Sequence, residues 1–265
     1  MSIQPLRRGF VLHRRDYRNS SLLLDLFTAD EGRIVCVAKG AKASARGRSA
    51  LASLLQPFQP LWLSWFGRGE VKTLARAEAA GPSLALSGER LYCGFYLNEL
   101  LMRLIERHDV QEGLFVFYQQ ALADLEAEPI EALLRRFELR LLEELGYALD
   151  LSADRRGEPI MPAGWYRYHP SLGFERMPDR APEVGPDAGP KTVIEANAPG
   201  ARSDAQSAGE PAVLINGVTL ARLAAGEALQ PADRAPARAL MRAALAPHLG
   251  PKPLRSRELF RRRSG

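Results

Sequence analysis

Cysteine is nearly missing from this chain: Cys36 and Cys93 are the only two among 265 residues. That excludes a disulfide framework. The four histidines, His13, His108, His169 and His248, are scattered, and no CxxC or HxxxH spacing brings ligands together for a structural metal. Both cysteines are expected as buried free thiols, since Cys36 lies in an apolar strand-like run and Cys93 between Tyr92 and Gly94. Long apolar runs are also lacking, and the charged opening MSIQPLRRGF has no signal-peptide core, so the expectation is a cytoplasmic chain without a membrane partner. Catalytic signatures are missing too: there is no nucleophile elbow, phosphate-cradling glycine loop, HExxH or paired carboxylate motif. Asp16 and Asp25 stand alone. No catalytic residue, metal or cofactor is expected, and an enzyme is not.

What the chain does have is patterned charge. The net charge of +5 is the sum of three unlike stretches. Residues 1–80 carry 13 Lys/Arg against 6 Asp/Glu, residues 81–150 carry 6 against 13, and residues 151–265 carry 17 against 12. Basic regions bracketing an acidic middle suggest a polyanion partner, although basic ends can equally be solvated surface.

The basic first region reads as strands. Gly9–Arg14, Leu22–Thr28 and Arg33–Ala38 are short apolar runs, and Ala29-Asp30-Glu31-Gly32 supplies a turn with Gly32 where positive φ is needed. A second hairpin joins Leu61–Phe66 to Glu70–Leu74 across Gly67-Arg68-Gly69. Five short strands hide their edges best in a small barrel, either an oligonucleotide-binding (OB) fold or an SH3-like one. Between the hairpins, Lys39 to Ser49 holds Lys39, Lys42, Arg46 and Arg48 among small residues with no acid. Such a loop must be exposed, and it is either a phosphate-binding segment or merely a soluble one. Strand alternation places Lys72 and Arg76 on one face, apart from Val71 and Ala75.

From about Ser87 the period becomes helical, with Leu97, Leu101, Leu104 and Ile105 recurring. Phe115, Phe117, Tyr118, Leu122 and Leu125 fit a second helix. A third starts at Pro129, with the stripe Ile130, Leu134, Phe137, Leu141 and Leu145 and a stop at Gly146; Arg135 and Glu138 fall off that stripe. These stripes must cover one another as a bundle, and their aromatics are assigned to its core. Pro178 to Pro211 is a loose Pro/Gly-rich insertion, after which helical pattern resumes over Val218–Leu223 and Ala237–Leu249. The organisation expected is β + α: a small β-barrel over 1–80 and an all-helical domain over 81–265, with the insertion at about 178–211.

The chain resembles the RecO family of bacterial DNA repair and recombination proteins. The resemblance runs from Gly9-Phe10-Val11-Leu12 through Leu24-Asp25-Leu26-Phe27-Thr28 to Gly32-Arg33-Ile34 and Ala38-Lys39-Gly40-Ala41-Lys42. It resumes at Tyr96-Leu97-Asn98-Glu99-Leu100-Leu101 and Leu134-Arg135-Arg136-Phe137-Glu138, and ends at Lys252-Pro253-Leu254-Arg255-Ser256-Arg257.

The resemblance implies an OB barrel followed by a helical domain, and a recombination mediator of the RecF pathway. Such a protein binds single- and double-stranded DNA, anneals complementary strands and, with RecR, helps load RecA onto DNA coated by single-strand-binding protein (SSB). Its DNA contacts would fall on Lys39, Lys42, Arg46, Arg48, Arg14, Arg68 and Lys72. The acidic SSB C-terminal tail would meet Arg135, Arg136 or Arg140 beside Phe137, or else the C-terminal arginines. A nucleoid-associated cytoplasmic protein is implied. Some members carry a four-cysteine zinc site after the long helix, where Leu151 to Tyr168 here has no cysteine, so zinc is not expected. The residues alone also allow a protein-docking adaptor or an RNA-binding barrel; a nuclease lacks its carboxylates.

Overall fold

The computed structural model describes residues 5–42, 50–178 and 213–256. The chain divides into two compact units, one reaching Ile130 and including the residues from Lys252, the other running from Glu131 to Pro251.

In the first unit, strands β1 (Arg7–Tyr17), β2 (Ser21–Thr28) and β3 (Gly32–Ala38) form a meander. A short helix α1 (Ala50–Leu54) precedes β4 (Leu61–Phe66) and β5 (Val71–Ala79). The strands close in the order β1-β2-β3-β5-β4, with β4 pairing back to β1 and only β3–β5 parallel. This is the OB connectivity, as expected, with α1 as an addition that the residue pattern does not announce. Alternate residues fill the barrel: Val11, Leu22, Leu24, Leu26, Ile34, Cys36, Leu61, Leu63 and Trp65. Burial pushes the Cys36 thiol up to about 12, with Lys72 opposing the shift, so the thiol is neutral and unreactive at neutral pH. Gly32 has φ +63°, and a Cβ there would lie 1.9 Å from the Asp109 carbonyl oxygen, so both backbone and space demand glycine.

Two β-bulges set the details. On β1 the register passes from Val11↔Leu26 to His13↔Asp25, leaving Leu12 as the extra residue. Its carbonyl is taken by a helix: Asn98 donates its Nδ2 to Leu12 O at 2.9 Å, and the Tyr118 hydroxyl donates to Asn98 Oδ1 at 2.6 Å. Asn98 lies on α2 (Gly88–Leu104) and Tyr118 on α3 (Glu112–Asp124). Phe10 and Phe27, on the outer face of β1 and β2, pack on Phe115 and Tyr118 at ring distances of 5.3 to 6.0 Å. Residues 252–256 join this unit along α2, where the Glu99 carboxylate accepts from the backbone of Arg255 and Ser256, both at 2.8 Å.

The second bulge overturns one expectation. The register passes from Ser64↔Arg76 to Trp65↔Leu74, so Ala75 is extra and the period of two breaks there. Leu74 and Ala77 both face the core. Lys72 therefore shares the inner face with Leu74, and Arg76 points to the outer face.

In the second unit, α4 (Ile130–Glu144) ends near Gly146, which has φ +80°, as its sequence implies. A three-stranded antiparallel sheet of β6 (Trp165–His169), β7 (Gly173–Arg176) and β8 (Val213–Asn216) accompanies the helices, in the order β7-β6-β8. The residue pattern does not announce this sheet, because two of its strands have four residues each. Tyr166, Tyr168, Phe174, Val213 and Ile215 form its buried face. Helices α5 (Gly217–Ala225) and α6 (Pro231–Leu249) complete the unit. The helix α6 starts earlier than its apolar pattern because Pro231 suits the first turn. The segment lacking the zinc cysteines is held by aspartates instead: Asp150 Oδ1 accepts from Ser152 N and Oγ, and Asp154 Oδ1 from Arg156 N and Glu158 N. No sulfur ligand is present there, so these residues do not fit zinc. The insertion at about 178–211 lies outside the described residues apart from its first residue, Pro178. Among the described residues no helix is long and apolar enough to cross a membrane.

Asn98→Leu should cost about 3 kcal/mol in denaturant unfolding, because it strands the Leu12 carbonyl in an apolar interior and removes the Tyr118 hydrogen bond; Tyr118→Phe should cost less. A second expectation concerns Asp233. Burial pushes its pKa up, but hydrogen bonds from Thr219 Oγ1, Arg222 and the Gln230 amide, with the Arg222 charge, outweigh burial and hold it below the usual range. Its stabilising contribution is thus complete above the unfolded value of about 3.9 and is lost as pH falls through the lower folded value. Asp233→Asn should lower stability at neutral pH and flatten the acid limb of a stability-against-pH curve.

Candidate nucleic-acid interface

Strand directions place several of the barrel's basic residues at its two ends. The β1–β2 turn and the end of β3 share one end: Tyr17 pairs with Ser21, Leu22 with Ala38, and the Lys42 amide donates to Ser20 O at 2.9 Å. Arg15, Arg18 and Lys39 are exposed there, and Lys42 is half-buried with its Nζ 3.0 Å from Asp16. Arg18, with φ 53°, lies 5.3 Å over the Tyr17 ring. Lys39 and Lys42 were legible from the acid-free loop. Arg15 and Arg18 were not, because they follow the apolar run Gly9–Arg14 without a local pattern of their own. Arg46 and Arg48 lie outside the described residues.

Because β5 runs parallel to β3, the β4–β5 turn lies at the other end. Arg68 is exposed on that turn, away from Lys39. Lys72 is half-buried on the inner face beside Cys36 and donates to Gly67 O at 3.3 Å. Nearby, Arg107 meets Glu70 at 3.6 Å and lies alongside Arg33, whose pKa is lowered by burial and by the like charge of Arg107 against the pull of Asp25.

Arg14 is differently employed. Its Nη1 donates to the carbonyls of Ala52 at 2.7 Å and Leu55 at 3.4 Å, so it fastens the C-terminal end of α1 to β1. A cation on terminal helix carbonyls is a favourable placement.

The expected tail-binding residues on α4 fall into two pairs. Phe137 is 0% exposed and Arg135 5%, with Arg135 Nη2 donating to Glu138 Oε1 at 2.8 Å and Glu138 itself 1% exposed. Arg136 and Arg140 reach the surface, Arg140 pairing with Glu143 at 3.1 Å and also with Glu144. The structure thus narrows the accessible set to Arg136 and Arg140.

These features define a single-barrel OB-fold protein with basic ends and an appended, largely helical region. Its first 82 residues match the family model described as Recombination protein O N terminal, and residues 85–258 match Recombination protein O C terminal. The chain is 43% identical over 260 residues to the DNA repair protein RecO of Nitrosospira multiformis, covering 97% of this chain and 95% of that protein. It is 44% identical over 258 residues to the DNA repair protein RecO of Methylococcus capsulatus, with 97% and 93% covered. With that of Pseudomonas paraeruginosa the identity is 41% over 264 residues, with 99% and 97% covered. The chain belongs to the RecO family of DNA repair and recombination proteins.

Arg14→Ala should lower stability by about 1 kcal/mol, the net worth of its hydrogen bonds to α1, and leave the salt dependence of DNA binding unchanged. A shallower salt slope at undiminished stability would return Arg14 to the DNA contacts.

Proposed function

We propose that this chain is a recombination mediator that binds single- and double-stranded DNA, anneals complementary strands and, with RecR, helps RecA load onto SSB-coated DNA. The observation that carries this reading is the cluster of Arg15, Arg18, Lys39 and Lys42 on one end of an OB barrel, in a chain that matches DNA repair proteins over nearly its whole length. Annealing makes and breaks no covalent bond. A basic surface neutralises the phosphates of two strands and holds them until base pairing takes over. Contacts to phosphate carry no sequence information, which suits a protein that must act on any sequence.

In this reading DNA meets Lys39 and Lys42, continues to Arg46 and Arg48, and is joined by Arg15 and Arg18; Arg68 and Lys72 serve a strand crossing to the other end. The acidic SSB tail is proposed to meet Arg136 and Arg140 on α4, whose partial exposure supports the assignment. A protein so engaged resides with the nucleoid.

The test is annealing of two complementary fluorescent strands coated with SSB, intact or lacking its C-terminal tail. Annealing should accelerate with intact SSB and slow on tail deletion. No acceleration by folded protein would leave the adaptor reading instead. In the variant with Lys39, Lys42, Arg46 and Arg48 all changed to alanine, affinity should fall alike for unrelated sequences. The slope of log affinity against log salt should become shallower by about 0.7–0.9 for each phosphate that the variant no longer neutralises. Unchanged binding would remove the loop from the interface.

A further inference from the structure

The outer surface of the barrel is unevenly covered. On the β1–β2 side, Phe10, Leu12 and Phe27 are buried, with both phenylalanines against Phe115 and Tyr118. On the β4–β5 side, Trp62 is 38% exposed, Phe66 50% and Val71 49%. These three belong to one strand pair, and their position is not an accident of fraying. Leu61, Leu63 and Trp65 fill the barrel, so alternation turns Trp62, Ser64 and Phe66 outward. An aromatic ring in water on a regular strand forgoes burial worth having, which makes two on one face informative.

The charge around the rings is mostly positive. Arg8 pairs with Trp62 across the β1–β4 ladder, and its guanidinium lies 5.9 Å from the indole centroid while donating to Gln119 Oε1 at 2.7 Å. Arg76 lies opposite Ser64 on β5, between the two rings, and is itself ion-paired with Glu78 across from Trp62. Arg68 follows Phe66 in the β4–β5 turn, where Glu70 is the other acid. Rings with flanking guanidiniums and few acids complement a polyanion whose units each present a flat π-face.

We propose that the outer face of β4 and β5 is a stacking platform on which Trp62 and Phe66 hold unpaired bases of single-stranded nucleic acid, with Arg8 and Arg76 beside the backbone phosphates. The proposal rests on the nucleic-acid-binding reading above and adds a contact by which single strands are preferred. Bases within a duplex are already stacked on one another at about 3.4 Å and offer no free face. Trp62 and Phe66, four residues apart on a strand, stand about 13 Å apart along it, a spacing suited to an extended, unstacked strand. The basic barrel end neutralises any phosphate chain; the aromatic face recognises only bases that have left a helix.

The experiment uses the full chain with three fluorescent probes of equal length: an oligothymidylate, the same backbone made abasic, and a duplex. The unaltered protein should bind oligothymidylate more tightly than the abasic strand. Trp62→Ala with Phe66→Ala should weaken oligothymidylate binding at least about tenfold, erase the preference over the abasic strand, and leave duplex affinity in place. Trp62→Phe with Phe66→Tyr should restore the preference, which separates stacking from damage to the barrel. Unchanged oligothymidylate affinity in the alanine variant would overturn the proposal, as would an equal loss for all three probes. Intact DNA binding with loss of association with a RecR protein would make the face a protein-docking surface instead. Failure of the unaltered chain to bind any probe would instead defeat the nucleic-acid reading itself, and the platform with it.

Discussion

The barrel is tied to its helices through one misfit in its own ladder. An extra residue at Leu12 removes a carbonyl from the β1–β2 pairing, and a buried carbonyl must find a donor or the fold loses free energy. Asn98 supplies it, and Tyr118 fixes which way the Asn98 amide points by donating to its oxygen. Burial raises the pKa of the Tyr118 hydroxyl, so the donor keeps its proton. Three elements are thereby held in one relation by two directional bonds, and Phe10 and Phe27 close around them on Phe115 and Tyr118. The helices that cover β1 and β2 leave Trp62, Phe66 and Val71 of β4 and β5 exposed, and this asymmetry distinguishes the two outer faces of the barrel.

The same economy governs charge. Some cations of the first 80 residues are taken up by the fold: Arg14 holds α1, and Arg7 meets Asp30 at 3.4 Å and also Glu31 at the β2–β3 turn. Others stay exposed, Arg15, Arg18 and Lys39 at one end and Arg68 at the other, with Arg8 and Arg76 on the strands between. A positive residue near a strand end can be mortar or interface, and its hydrogen-bond partners decide which. In the second unit the Arg135–Glu138 pair shows the extreme case, with both charges withdrawn into the interior of α4's packing face. Such a pair is a weak source of stability, but removing one partner leaves an uncompensated buried charge.

Much of this was legible in the residues. The hairpin turn at Gly32, the strands around it, the helix ending near Gly146 and the inert thiol of Cys36 all follow from short-range rules: glycine's freedom at positive φ, alternation, helical period and the burial of small sulfur side chains. The family was legible as well, since its motifs are strung along the chain in order. The small sheet of β6, β7 and β8 was not, because strands of four and five residues carry too few alternations to stand out, and β8 pairs with a strand more than forty residues earlier.

The sequence by itself determined the barrel's strands, the helical stripes, the acid-free basic loop and the lack of cysteine after α4, because each depends on neighbours a few residues away. Tertiary structure alone decided the rest. Whether Lys72 and Arg76 share a face was settled by a bulge at Ala75, which exists only in relation to β4. Whether Arg14 points to solvent was settled by carbonyls brought from about forty residues downstream. Whether Trp62 and Phe66 stay exposed was settled by which side of the barrel the helices cover. A side chain's chemistry is written locally, but its availability is the outcome of what the folded chain places against it.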